Sequence, residues 1–210
     1  MRPEIILVGG GGHCKSCIDV IKLHNRYKIA GIVELKEKLH HAITGYKVIA
    51  SDEELPELAR KYENFLITIG QIGNAGKRID IFNKLKDLGV NMPVIISPLA
   101  YAASYTTIGF GTIVMHHAIV NVGSTLGENC IVNTRALIEH DAVISDHCHI
   151  ATGAIINGGS RVGRGTFIGS AATIRENVEI GANCVVGSGS VVIQNVSGSL
   201  KVVGIPAKPI

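Results

Sequence analysis

Residues 132–155 read VNTRAL-IEHDAV-ISDHCH-IATGAI, four six-residue units that open on Val132, Ile138, Ile144 and Ile150. The spacing continues both ways without insertion or deletion. Upstream the first positions are Ile108, Val114, Val120 and Leu126; downstream they are Ile156, Val162, Ile168, Ile174, Ile180, Val186 and Val192, with Ile96 and Ala102 in phase before them. Fifth positions are small, as at Thr112, Ala118, Ser124, Cys130, Ala136, Ala142, Cys148 and Ala154. A period of six matches neither a helix at 3.6 nor a strand at 2. It suits short strands joined by corners, with one aliphatic and one small side chain turned inward per unit, the signature of a stacked solenoid. Glycine recurs at second positions (Gly109, Gly127, Gly163, Gly169, Gly181, Gly187), where freedom at positive φ is expected to ease a bend. Cys130, Cys148 and Cys184 are 18 and 36 residues apart and fall in one inner column if three units make a coil, which reads as core packing.

Residues 1–92 follow a different grammar. Strands are expected at Glu4 to Val8, Ile29 to Val33 and Phe65 to Ile69, and helices at His13 to Leu23 and Asp52 to Lys61, the latter behind a Ser51/Glu54 capping box. Alternation of this kind implies a parallel sheet flanked by helices, here about one mononucleotide-binding half. Between the first strand and helix lies Gly9-Gly10-Gly11-Gly12-His13, where a bare backbone can approach a phosphate and the helix offers free amides. Cys14 stands where the dinucleotide fingerprint needs its third glycine, so NAD is disfavoured and a nucleotide-linked ligand fits better. Glu34 ends the second strand in reach of a nucleoside, and Gly70 ends the third on the same sheet edge.

Composition narrows the classes further. A net charge of +3 from 20 basic and 17 acidic residues, with no basic run, gives no reason to expect nucleic acid or an anionic membrane. No leader-like or spanning apolar stretch is present near the start, so a cytoplasmic protein is expected. The 5 cysteines, an odd number, are read as reduced thiols, and the Cys14/Cys17 spacing as small residues on a helix.

Inside the repeats, Ile138-Glu139-His140-Asp141-Ala142-Val143 is unusually polar, with His147 and His149 soon after. A histidine of pKa near 6.5 can take the proton an amine or hydroxyl loses in attacking a thioester, a nearby carboxylate can fix its tautomer, and a backbone N–H such as Gly158's can meet the oxyanion. Together with Gly9 to His13, Asn133-Thr134 and the terminal Gly204-Ile205-Pro206-Ala207-Lys208, these residues resemble the NeuD/PglD-type sugar acetyltransferases over the whole chain. The resemblance implies a Rossmann-like sugar-nucleotide-binding domain at 1–92 and a left-handed parallel β-helix at 93–210. It implies an acetyl-CoA-dependent N-acetyltransferase of a nucleotide-linked 4-amino-4,6-dideoxy sugar in bacterial surface-glycan biosynthesis, with O-acetylation of a sialic acid as the alternative. By position it implies His140 as general base and Asp141 as its partner, with Glu139 a possible substitute. It places acetyl-CoA at His149, Gly158, Ser170 and Ser188, and the sugar nucleotide at Gly11, Gly12, His13, Glu34, Leu35 and Gly70.

Half a coil separates His140 from His149, roughly 15 Å across one prism at about 3.3 Å per residue. The resemblance implies a homotrimer, and this separation adds the expectation that each active site lies between two of its subunits. Two other classes stand as rivals. A zinc enzyme of the carbonic anhydrase type could draw on His116, His117, His140, His147 and His149, but the five-residue histidine spacing of that type is missing, so no metal is expected. A non-catalytic nucleotide-sensing scaffold would bind the sugar nucleotide without releasing CoA.

Overall fold

The structure, a computed structural model, describes residues 1–210. The amino-terminal elements are β1 (Glu4–Val8), α1 (Gly12–His24), β2 (Lys28–Val33), β3 (Ala42–Ile43), β4 (Tyr46–Ala50), α2 (Leu55–Ala59), β5 (Asn64–Ile67) and α3 (Gly76–Asp87). They form one sheet in the order β3-β4-β2-β1-β5, with β1 parallel to β2 and β5. The β3–β4 hairpin, turning at Thr44 and Gly45, is an addition to the elements expected from sequence. Where one helix is expected at 52–61, a 3₁₀ turn at Asp52–Glu54 leads into the shorter α2; the Ser51 amide donates to Glu54 Oε2 at 2.8 Å, so the box caps the turn. Gly9, at φ +109°, lies so close to Ile69 that any side chain there would strike it, which seats the glycine loop against the end of β5. No helix is long and apolar enough to cross a membrane.

From Ile95 onward the chain winds into two-residue strands that stack in three parallel sheets. Each strand pairs with the one eighteen residues on: Ile113 with Ile131, Ile131 with His149, His149 with Phe167. The first hexad positions point inward and join a core of 24 buried residues that includes Cys130, Cys148 and Cys184. Fifth positions do more than stay small. Thr112, Ser124, Ser160 and Thr166 each donate to the carbonyl fifteen residues ahead, at 2.7 to 2.8 Å, and Cys130 and Cys148 do the same through Sγ at 3.1 to 3.2 Å. The carbonyls of Gly127, Ser145, Arg175 and Gly181, which accept no backbone N–H, are satisfied in this way, and those of Glu139 and Gly163 gain a second donor.

The second-position glycines serve a different purpose from the one expected. None of the six has positive φ; a Cβ on Gly163 would lie 2.5 Å from the Ala182 nitrogen, and one on Gly109 would lie 2.6 Å from the Glu128 nitrogen. Five of them are glycine because the next coil's backbone passes directly over them, and at Gly187 the Val203 side chain fills the space instead. The left-handed residue comes two places later, at the fourth position of each unit from Ile108 to Val186: Gly111, His117, Gly123, Asn129, Arg135, Asp141, His147, Gly153, Gly159, Gly165, Ala171, Asn177, Asn183 and Gly189.

Each sheet makes one face of a prism. The outward row Ile95, Ile113, Ile131, His149 and Phe167 lies against the α/β unit, with Ile95, Ile113, Met115 and Ile131 packed on Cys14, Cys17, Ile18 and Ile21 of α1. Helix α3 grips the adjoining edge. Arg78 donates from Nη1 to the Ile67 and Ile69 carbonyls at 3.2 and 2.6 Å, and from Nη2 to Asn129 O and Oδ1 at 3.0 and 2.6 Å. Asn129 in turn bonds His147 Nδ1 at 3.0 Å, whose ring meets Phe82 edge-on at 5.2 Å. A second face carries the outward row Tyr101, Ile119, Leu137, Ile155, Thr173 and Val191, almost wholly apolar and covered by nothing in this chain. The third carries Thr107, Thr125, Val143, Arg161 and Glu179 and is mostly polar.

Two outcomes test this architecture. Alanine at Gly163 must push aside backbone and should cost roughly 1–3 kcal/mol, whereas alanine at Gly153, with open space but φ +66°, should cost about 1 kcal/mol from left-handed strain alone. Asparagine should recover most of the loss at 153 and none at 163, as read from thermal melting; recovery at both would remove the distinction between the positions. The second concerns acid. Burial, with Arg78 and His149 adding to it, brings His13 down to about 3; burial holds His147 and His149 at about 4. Folded rings stay neutral while unfolded ones protonate near pH 6.5, so stability is full above that pH and drains toward pH 4, by up to roughly 1.4 kcal/mol per pH unit for each ring. Melting temperatures taken from pH 7.5 to 4.5 should fall steeply below 6.5, and a flat profile would show these rings are solvated.

Candidate active site

The largest cleft, about 900 Å³, opens where the carboxyl edge of the sheet meets the solenoid. Its floor follows from topology: the loops after β1, β2 and β5 emerge at one edge, as open α/β sheets place ligands. Gly11, Gly12 and His13 line it from the start of α1, Glu34 and Leu35 from the end of β2, and Gly70 from the end of β5, so all six residues the resemblance assigns to the sugar nucleotide share one cavity. Gln71, Asp52 and Lys77 also line it, and the solenoid supplies Asn133, Thr134, His149 and Thr152. Of these additions, Asn133 and Thr134 carry a sequence signal through their motif. Gln71 follows Gly70, but nothing in the spacing marks Gln71 or Lys77.

Glu34 accepts a hydrogen bond from the Gly10 amide, and Lys38 Nζ stands 3.5 Å from its other oxygen. Burial would raise this carboxyl, but the bonds from Gly10 and Leu35 and the charge of Lys38 together hold it below the usual range. A permanent carboxylate therefore borders the cleft at the end of β2. An added Cβ at Gly11 or Gly12 would meet nothing within 4 Å, so these positions are bare toward open space.

His149 sits at the cleft floor, 6% exposed. Its Nδ1 lies 2.7 Å from the Gln71 carbonyl, which can only accept, so the proton resides on Nδ1 and Nε2 accepts from Asn133 Nδ2 at 3.2 Å. Burial holds the ring at about 4 against the Gln71 bond, with Arg78 adding to burial, so it is neutral and both nitrogens are engaged within the chain.

His140 lies elsewhere, at the corner between the apolar face and the polar face. Its Nδ1 is 2.9 Å from Asp141 Oδ2, while Glu139 instead accepts from the His140 amide at 3.3 Å and from Asn121 Nδ2 at 2.9 Å. The left-handed turn at Asp141, φ +59°, swings its carboxylate back to the preceding ring. With Nδ1–H held by a carboxylate, Nε2 is free to take a proton. Gly158, eighteen residues on, stands directly over that nitrogen: a Cβ there would come within 2.7 Å of Nε2. Its own amide donates to no group in the chain.

Thr134, Thr152, Ser170 and Ser188 stack at the other end of the apolar face, each one coil above the last, with Ser170 and Ser188 exposed. The residues assigned to catalysis and to acetyl-CoA thus split between two corners of one prism. A single chain does not bring His140 to the cleft, to His149, or to the two serines.

A family model described as the PglD N-terminal domain matches residues 4–85, and one described as bacterial transferase hexapeptide (six repeats) matches residues 159–194. Among solved structures, the acetyltransferase domain of PglB from Neisseria gonorrhoeae FA1090, in complex with acetyl coenzyme A, is 30% identical with a TM-score of 0.92, covering 100% of both chains. PerB from Caulobacter crescentus, in complex with CoA and GDP-perosamine, is 29% identical with a TM-score of 0.92, over 100% of this chain and 98% of that one. WeeI from Acinetobacter baumannii AYE, 22% identical with a TM-score of 0.82 over 99% of this chain and 100% of that one, shares the fold. No curated protein sequence matches the chain. A Rossmann-like α/β unit joined to a left-handed hexapeptide β-helix, matched end to end at this identity, makes the chain a member of the PglD/NeuD family of sugar acetyltransferases.

Proposed function

We propose that this acetyltransferase moves the acetyl group of acetyl-CoA to the amine of a nucleotide-linked 4-amino-4,6-dideoxy sugar, in the cytoplasm, in a pathway that builds bacterial surface glycan. Residues 1–92 hold the nucleotide and 93–210 carry the chemistry. The observation that carries this reading is the His140–Asp141 pair, with Nδ1 tied down at 2.9 Å and Nε2 open beneath Gly158. The bound ligands of the PglB domain and PerB, acetyl-CoA in one and CoA with GDP-perosamine in the other, support the co-substrate and the acceptor class.

The reaction needs no covalent enzyme intermediate. The amine nitrogen attacks the thioester carbonyl carbon while His140 Nε2 removes its proton and Asp141 steadies the imidazolium. The oxyanion that forms is met by a fixed donor, for which the unengaged Gly158 amide is suited. Collapse breaks the carbon–sulfur bond, and the CoA sulfur leaves with the proton His140 returns. The resemblance assigns His149 to acetyl-CoA, but its place on the cleft floor beside Asn133 supports a contact with the acceptor as well, while Ser170 and Ser188 line the pantetheine path.

Because His140 and the cleft lie on different sides of one prism, the site is completed by a second copy. The apolar row from Tyr101 to Val191, flanked by the His140 corner on one side and the serine corner on the other, supports a homotrimer closed through that face. One copy then offers the cleft and another the base.

A thiol-release assay with acetyl-CoA against UDP-, GDP- and dTDP-linked amino sugars and free sialic acid tests the acceptor; turnover with sialic acid alone would favour O-acetylation, and nucleotide-sugar binding with no CoA release would indicate a sensor. His140→Ala should lower kcat about 10²- to 10⁴-fold. Asp141→Asn should cost less, because a partly exposed ion pair is worth about 1 kcal/mol or less. Shared sites predict complementation. Subunits carrying His140→Ala, refolded together with subunits whose cleft is filled by Gly11→Tyr, should regain activity that neither has alone; inactive mixed oligomers of normal assembly would put the whole site within one subunit.

A further inference from the structure

Arg78 is 1% exposed, yet no carboxylate pairs with it. Four of its five N–H groups are satisfied by neutral acceptors, the carbonyls of Ile67, Ile69 and Asn129 and the Asn129 amide oxygen, and Nε–H has none. It also sits in the first turn of α3, the positive end of that helix, where a cation is disfavoured. Burial brings it down to about 10, so at neutral pH it keeps its charge. An ion buried without a counterion, at the wrong helix end, is costly. A methionine would fill the same space without that penalty.

What the position gains is proximity to the cleft. Arg78 Nη1 is 2.6 Å from the carbonyl of Ile69, which lines the floor with Gly70 and Gln71. The N-terminus of α1, at Gly12, and Lys77 reach the same floor; Lys77 is paired with Asp52 at 3.7 Å and Glu34 with the Gly10 amide, so of the cations around the cleft Arg78 is the one without a carboxylate. Resting on the reading of the cleft as a nucleotide-sugar site, we propose that Arg78 is a positioning residue for the acceptor's diphosphate. Its unpaired charge acts through the single layer of backbone it holds and finds its counterion only when a nucleoside diphosphate is bound. Burial is the main reason His13 and His149 are held low, and the Arg78 charge adds to it at both rings.

The test separates charge from packing. Affinities of full-length wild type, Arg78→Met and Arg78→Lys are measured by calorimetry for GDP, UDP and dTDP and for the matching uncharged nucleosides, alongside KM for acetyl-CoA and melting temperature. Arg78→Met should bind the preferred diphosphate about 10- to 100-fold more weakly. Nucleoside affinity and KM for acetyl-CoA should stay within about threefold. Arg78→Lys should recover most of the diphosphate affinity even where it melts lower. Equal losses for diphosphate and nucleoside, or no loss for either, would overturn the proposal and leave Arg78 a structural clasp. If the methionine variant does not fold, Arg78→Gln takes its place, with the same ratio of diphosphate to nucleoside affinity as readout. Wild type that binds no nucleoside diphosphate would instead overturn the reading of the cleft, and with it this assignment.

Discussion

Every coil must land on the one before it in the same phase, eighteen residues later, and the rest of the molecule inherits that requirement. Because the strands are only two residues long, little ladder bonding holds any one of them. Stability comes from repetition: an aliphatic residue over an aliphatic residue, and a corner donor over a corner carbonyl. Backbones that approach this closely leave no room for a Cβ at certain second positions and demand a left-handed turn at each fourth one. The catalytic candidates are side effects of that geometry put to use. Asp141 occupies a left-handed corner position, and the turn it makes brings its carboxylate to the neighbouring imidazole.

The α/β unit is bound to this frame by two kinds of contact. Apolar packing between α1 and the row Ile95, Ile113 and Ile131 gives the bulk of the attachment, and it is non-directional. Orientation comes from the polar edge, where Arg78, Asn129 and His147 form one chain of hydrogen bonds from α3 into the solenoid, and where His149 reaches the Gln71 carbonyl. The cleft lies between these contacts, so its shape is set by the same bonds that hold the two units together.

Much of this was legible in the residues, for reasons that differ from place to place. The period of six is visible because the first position tolerates only Ile, Leu or Val inside a narrow prism. The fourth position is not visible: Gly, Asn, His, Arg, Asp and Ala all occupy it, because backbone conformation there is imposed by stacking rather than by side-chain preference. The second-position glycines were legible as a pattern and misread as to cause, since close approach of the next coil is a property of the stack. The glycine loop, Glu34 and Gly70 could be placed together because strand ends of a parallel sheet share one edge. Arg78 could not be found, since an arginine on a polar helix reads as solvent-facing until the helix is known to lie against a solenoid. That His149 turns toward the cleft depends on which of three faces receives the α/β unit, a choice made by the whole outward row Ile95 to Phe167.

All five cysteines are buried. Burial raises the thiols of Cys14, Cys17, Cys130 and Cys148, Cys130 to about 12, and the Sγ atoms of the inner column are occupied with carbonyls of the neighbouring coil. Since the thiolate is the reactive form, a sulfhydryl reagent added to the folded enzyme finds nothing to consume it. Released coenzyme can therefore be counted continuously with a chromogenic disulfide, the protein contributing no colour of its own, and the onset of such colour without substrate would report unfolding of the spool.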